Sequence, residues 1–206
     1  MRKVVIGIIV FTILFLGLGW LMVGRTPTNT PISLSTTPTD HIAGNASASA
    51  TLIEYSDFQC PACASYQTLI NQLKEELGSE IKIIFRHYPL SNIHPNAHLA
   101  AQASEAAANQ GKFWQMHDLL FKNQNFWSEL EDPEEEFNQY AIDLKLNLKQ
   151  FTTDLTSKET IDKIGSNYQS GVKAGVNSTP SFFINGKKIS NPASYEAFKQ
   201  IIKNNL

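Results

Sequence analysis

Three observations predict an α/β domain in this chain of 206 residues. A strand rich in β-branched and aromatic residues, Thr51 to Tyr55, runs into a helix of regular apolar period, and a second apolar strand follows at Ile81. Far downstream, beyond a long helical stretch, two short strands flank Asn185-Gly186, the preferred pair for a tight hairpin. The order is therefore β-α-β, a helical block, then β-β-α, with no internal repeat.

Ahead of this domain, Met1-Arg2-Lys3 leads into residues 4–23, which carry no charged side chain. Twenty residues at about 1.5 Å each cross a ~30 Å hydrocarbon core, so this stretch has the length of a transmembrane helix in the lipid bilayer. It exceeds the ~7–15 apolar residues of a cleavable signal, and Trp20 to Arg25 offers no small-x-small site. Residues 1–25 thus read as a cytoplasmic N-terminus and an uncleaved signal anchor; cleavage would instead leave a secreted or periplasmic domain. Arg2 and Lys3 outnumber Arg25, which puts the remainder outside the cytoplasm, where disulfides persist. Beyond the anchor, 14 basic side chains face 19 acidic ones, a balance unsuited to nucleic acid. Residues 26–50 are mostly Thr, Ser, Pro, Asn and Ala and read as a flexible extracytoplasmic linker with a short docked piece near Asp40-His41-Ile42.

Residues 51–206 form the predicted domain. After the first strand, Tyr66, Leu69, Ile70, Leu73 and Leu77 mark one face of a helix that Gly78 stops. Ile81 to Tyr88 is a strand ended by Pro89. The pattern is helical from about 95 to 173. It includes an Ala-rich segment from Ala97 to Asn109, Phe113 to Phe121, a helix with Phe137, Tyr140, Ala141 and Leu144 inward, and a last one with Ile161, Ile164, Tyr168 and Val172. The acidic run from Glu129 to Glu136 is a helix start, with Asp132 at the N-cap, Pro133 at the first position and Glu135 at the third, rather than a cation site. Ser181 to Ile184 and Lys187 to Ile189 are the hairpin strands, and Asn191-Pro192 opens the final helix with Tyr195, Phe198, Ile201 and Ile202 inward.

The only two cysteines, Cys60 and Cys63, stand in Asp57-Phe58-Gln59-Cys60-Pro61-Ala62-Cys63, where strand gives way to helix. With Cys60 at the N-cap, Pro61 takes the first helical position, where its missing N–H is not needed. The Cys60 thiol then meets unpaired N–H groups and the positive end of the helix dipole, which lowers its pKa. Cys63 lies on the same face and can close a disulfide.

This arrangement resembles the thioredoxin fold with a helical insertion found in DsbA-like thiol–disulfide oxidoreductases. The stretches that carry the likeness are Glu54 to Pro61, Phe85 to Leu90, His94 to His98, Gly111 to Trp114 with Met116-His117, and Thr179-Pro180-Ser181-Phe182-Phe183. It covers residues 40–206. The resemblance implies catalysis by Cys60 and Cys63 with Pro61 and Ala62 between them, and a proton-moving role for Glu54. It also implies a cis Pro180, preceded by Thr179, that binds the substrate backbone. Strand alternation puts Glu54 inside if it shares the core face with Leu52. Ala62 departs from the strong oxidants of the family, which carry a histidine there, so a less extreme potential is expected. The implied substrates are thiol- or disulfide-containing secreted or membrane proteins, and no cofactor is needed. Oxidation would be driven by a DsbB-like or vitamin-K-epoxide-reductase-like membrane partner; isomerase or reductase action would use the same site.

Two other classes compete. Cys60, Cys63, His94 and His98 have CxxC and HxxxH spacings and could hold structural zinc, and the frame could serve as a non-catalytic binding module. His87 reads as a strand residue, His117 as a part-buried helix residue, and Phe58, Phe113, Trp114, Phe126 and Trp127 as core aromatics rather than a peptide groove.

Overall fold

The computed structural model describes residues 34–206, so the apolar segment 4–23 and the first part of the linker lie outside the described residues. Among the described residues, no helix is long and apolar enough to cross a membrane. Five strands form one mixed sheet: β1 (His41–Gly44), β2 (Ala50–Ser56), β3 (Ile81–His87), β4 (Ser181–Ile184) and β5 (Lys187–Ile189), in the spatial order β1-β3-β2-β4-β5. β2 and β3 run parallel across α1 (Pro61–Leu77), and every other pairing is antiparallel. This is the predicted thioredoxin-like α/β arrangement.

Both faces of the sheet are covered, so the central strands carry nearly continuous apolar runs rather than strict alternation. Leu52, Ile83, Phe182 and Ile184 pack with Leu73 and Leu77 of α1 and with Phe198 and Ile202 of α8 (Tyr195–Lys203). On the other face, Ile53, Tyr55, Ile84 and Phe183 meet Tyr88, Val176 and Tyr168. Tyr168 belongs to α7 (Lys158–Lys173), which reaches the sheet closely because it carries Gly171 there: a Cβ would stand 2.7 Å from the Tyr88 ring.

The block read as helical throughout is broken into α2 (Ala97–Ala108), α3 (Phe113–Lys122), α4 (Gln124–Trp127), α5 (Glu134–Asp143), α6 (Leu148–Leu155) and α7. Its own core gathers Phe113, Met116, Leu120, Trp127, Phe137 and Phe151, and extends to Phe58 and Phe85 of the sheet side. Small side chains at Ala100, Ala103, Ala106 and Ala107 let α2 sit deep in it. Insertion and sheet therefore share one apolar interior directly beneath the cysteine turn.

Several local expectations shift. Residues 41–44, within the stretch read as linker, are an edge strand paired with β3. The segment before them is held by Arg86, whose guanidinium donates to both Asp40 carboxylate oxygens (3.0 and 2.9 Å), to the Ser35 carbonyl (2.7 Å) and to the Tyr55 hydroxyl (3.1 Å). Gly78 ends α1 in a right-handed conformation (φ −60°), so it is not a left-handed stop. Pro133, not Asp132, occupies the N-cap of α5, and the Asp132 carboxylate accepts from the Glu134 N–H (3.0 Å). Asn191-Pro192 does not open α8: Ser194 caps it three residues later, accepting from Ala197 N–H. In α7, Ile164 is buried but Ile161 and Val172 are exposed. The hairpin is as expected, with Asn185 and Gly186 both at positive φ (49° and 79°), the geometry of a type I′ turn.

Candidate active site

Cys60 is the N-cap of α1, in extended conformation (φ −74°, ψ 119°), and Pro61 takes the first helical position. The residue types dictate this. Proline fixes a helical φ where no N–H is required, and an extended residue before proline is the sterically favoured one. Cys60 is 7% exposed and Cys63 is fully enclosed one turn on. Both are free thiols.

The two sulfurs have opposite electrostatics. A hydrogen bond from the Cys63 thiol is the largest influence on Cys60 and brings its pKa down to about 5; burial opposes this, while Thr179 and the backbone N–H groups of Cys63 and Ala62 assist. Burial pushes the Cys63 thiol up, reinforced by its bond to Cys60 and by the charge of Glu54. At neutral pH the outer sulfur is a thiolate and the inner one keeps its proton. Position thus makes the outer sulfur the more nucleophilic of the two.

The Thr179–Pro180 peptide bond is cis, and the Cys60 sulfur lies 3.5 Å from the Thr179 carbonyl oxygen. The Thr179 hydroxyl is buried and has no other partner among the described residues, so it is free to donate to a thiolate. The Asn191 amide donates to the Pro180 carbonyl (2.8 Å) and pins the loop from the far side of the hairpin. Asn191, expected to start a helix, serves this loop.

Glu54 is on the core face with Leu52 and is 2% exposed. Burial raises its pKa to about 7; Ser56 and Gln67 favour its anion, and the Cys60 charge opposes it. The Gln67 amide reaches both carboxylate oxygens at 3.3 and 3.4 Å. A group with its folded pKa raised above the unfolded value stabilises the fold below about pH 4.5 and loses that contribution as pH rises through about 7. Glu54→Gln is expected to remove roughly 3 kcal/mol of pH-dependent destabilisation across that window. Denaturant unfolding of both reduced proteins at its two ends checks this; parallel pH profiles would contradict it.

Sequence reasoning missed the amides and acid that hold the turn. The Asp57 carboxylate accepts from the N–H groups of Gln59 (2.7 Å) and Leu90 (2.9 Å) and from His94 Nδ1 (2.7 Å). Gln59 accepts from Asn96 N–H (2.7 Å) and donates to the Ser128 carbonyl (3.1 Å). One Gln124 amide nitrogen donates to the carbonyls of Phe58 (2.7 Å) and Cys60 (2.9 Å). Only Gln67 left a signal: it is a polar residue between Cys63 and Ile70 on the buried stripe of α1. Of the aromatics, Phe58, Phe113 and Trp127 are core, Trp114 is half-buried and Phe126 is exposed. The zinc set is not assembled. His94 is engaged by Asp57, and among the described residues the one cluster with ligand spacing is His41, His87 and Glu105.

A thiol at a helix N-terminus, a buried partner thiol one turn on and an opposing cis Thr-Pro loop make the cysteine turn the candidate site. A family model described as thioredoxin matches residues 36–204. Solved structures of the same fold include α-DsbA1 of Wolbachia pipientis (TM-score 0.73, 23% identity, 84% of this chain and 93% of that one). Oxidised BdbD of Bacillus subtilis also shares it (TM-score 0.72, 21% identity, 81% and 92%). The chain belongs to the thioredoxin family, with the fold of the DsbA-like thiol–disulfide oxidoreductases. Among curated relatives, the Na(+)/H(+) antiporter NhaA 3 of Salinispora tropica is 36% identical over 163 residues, 79% of this chain and 24% of that protein. The chain spans about a quarter of that relative's length, and the antiport belongs to that whole protein.

Proposed function

We propose that this protein is a membrane-tethered, extracytoplasmic thiol–disulfide oxidoreductase that inserts disulfides into secreted or membrane proteins through Cys60 and Cys63. The observation that carries the reading is the geometry of the turn: Cys60 at the N-cap of α1, Cys63 enclosed one turn on, and the cis Thr179–Pro180 loop 3.5 Å from the outer sulfur, an arrangement that draws the Cys60 pKa down and pushes that of Cys63 up. A stabilised thiolate favours the reduced pair, and a pair that prefers to be reduced oxidises others. A substrate thiolate attacks Cys60 of the oxidised pair; the Cys60–Cys63 bond breaks, and Cys63 leaves with the electron pair and takes a proton. A second substrate thiolate then attacks the substrate sulfur of the mixed disulfide, and Cys60 departs as its stable thiolate. The substrate has lost two electrons and the pair has gained them.

Glu54, with a pKa of about 7 and its charge felt at Cys63, would give and retrieve the Cys63 proton. Thr179 and Pro180 would receive the substrate backbone. A cavity of about 890 Å³ lined by Leu90, Ile93, Ile161, Ile164, Tyr168 and Asn177, the last of them two residues before Thr179 in the chain, would offer an apolar wall for an extended chain. Residues 4–23 would anchor the protein, and a DsbB-like or vitamin-K-epoxide-reductase-like membrane protein would reoxidise the pair.

The test is to mix the oxidised full chain with a reduced, unfolded two-thiol protein. Disulfides should appear in the substrate in step with reduction of Cys60 and Cys63. Insulin reduction without net oxidation of the thiol substrate would reverse the direction.

A further inference from the structure

We propose that His41, His87 and Glu105 form a binding site for a divalent transition metal of zinc type, separate from the cysteine pair. Two imidazoles and one carboxylate are a donor set suited to zinc, with the fourth position left to water. The three come from different parts of the fold: His41 from edge strand β1, His87 from the end of β3, and Glu105 from α2 of the insertion. In the antiparallel register His41 faces Phe85, and His87 lies two residues on, so both imidazoles rise from one sheet face toward α2.

Their ligand atoms already converge. The Glu105 Oε1 is 2.8 Å from His41 Nε2 and 2.6 Å from His87 Nε2, and the donor atoms of all three lie within 4.8 Å of one another. Around a tetrahedral zinc, ligands at about 2.0–2.1 Å stand roughly 3.3 Å apart, so the 2.8 and 2.6 Å contacts to Glu105 need to open by about 0.5 and 0.7 Å. The same Nε2 atoms that bond the carboxylate offer lone pairs once the ring protons sit on Nδ1. The rings are also fixed in orientation. His41 stacks on Phe113 (centroids 3.5 Å apart, planes 7° off parallel), and His87 is held edge-on by Phe85 and Phe113.

Charge and access fit. The buried Glu105 carboxylate offers its Oε1 to both imidazoles, so the set joins one carboxylate to two ring nitrogens. A cavity of about 800 Å³ reaches His41 and Glu105 from solvent, and its wall carries Glu159 and Asp162 against Lys158 and Lys163. These four balance, and three are already engaged: Lys158 pairs with Asp162, and Lys163 donates to the Thr39 carbonyl. Glu105 supplies the unmatched charge. A bound ion would tie β1 and β3 to the insertion.

The experiment uses the full chain with Cys60 and Cys63 held as a disulfide, so that no thiolate can take the metal. The chelator-treated protein is loaded with Zn²⁺ and dialysed, then assayed by elemental analysis and thermal unfolding. One zinc per chain is expected, with a midpoint rise of about 5–10 °C at zinc a hundredfold above its Kd. His41→Ala, at the most exposed of the three ligands, should lose both effects; Glu105→Gln, which keeps the side-chain volume, should lose them as well. Absence of zinc from the parent, or undiminished zinc and thermal shift in His41→Ala and Glu105→Gln, overturns the assignment.

Discussion

Cys60→Ser should bring disulfide transfer down to background, a loss on the order of 10³-fold or more, because a serine hydroxyl can neither form the mixed disulfide nor leave as a stable anion. Cys63→Ser should behave differently. Its Cys60 remains at the helix N-terminus and still attacks a disulfide, but no inner thiol resolves the product, so an adduct on Cys60 accumulates. Mass spectrometry after incubation with glutathione disulfide reads this directly. In the reduced wild type the alkylation rate of Cys60 should rise through a midpoint near pH 5. The linked stability follows the depressed-pKa rule. The thiolate's contribution to the reduced fold is fully present above the unfolded thiol value near 9 and is lost as pH falls through about 5. Equal transfer by wild type and Cys60→Ser would remove the pair from the chemistry altogether.

The largest expected effect on folding lies on the opposite face of the sheet. Asp40→Ala leaves the Arg86 guanidinium, 3% exposed, without its counter-ion, and is expected to cost about 3–5 kcal/mol in denaturant unfolding. The double variant Asp40→Leu with Arg86→Met removes both charges at similar volume and should recover most of that loss. If Asp40→Ala unfolds like the parent, the segment before β1 is not part of the cooperative unit.

That segment also shows where sequence reading reached its limit. The CxxC turn was legible because its causes are local: proline at a first helical position, a strand behind it and an apolar period ahead. The Asn185-Gly186 hairpin was legible for the same reason. β1 was not, since His41-Ile42-Ala43-Gly44 has little strand character of its own; pairing with β3 and the distant Arg86 decide its state. The polar frame of the site was equally hidden. Gln124 meets Phe58 and Cys60 across more than sixty residues, and its partners are backbone carbonyls, which leave no trace in side-chain type. Asn191 misled for a related reason: an Asn-Pro pair reads as a helix opening, yet its amide is committed to the Pro180 carbonyl.

The Gln124 contact has one more implication. A single side-chain nitrogen in the insertion grips the two carbonyls that bracket the turn into Cys60, so the insertion and the redox centre cannot shift independently. If disulfide formation at Cys60 moves those carbonyls by even a few tenths of an ångström, the insertion feels it. Thermodynamic reciprocity then applies: a molecule that holds the insertion more tightly in one redox state must change the electron affinity of the pair by the same factor. The pair would in that case report to its partners whether it is loaded.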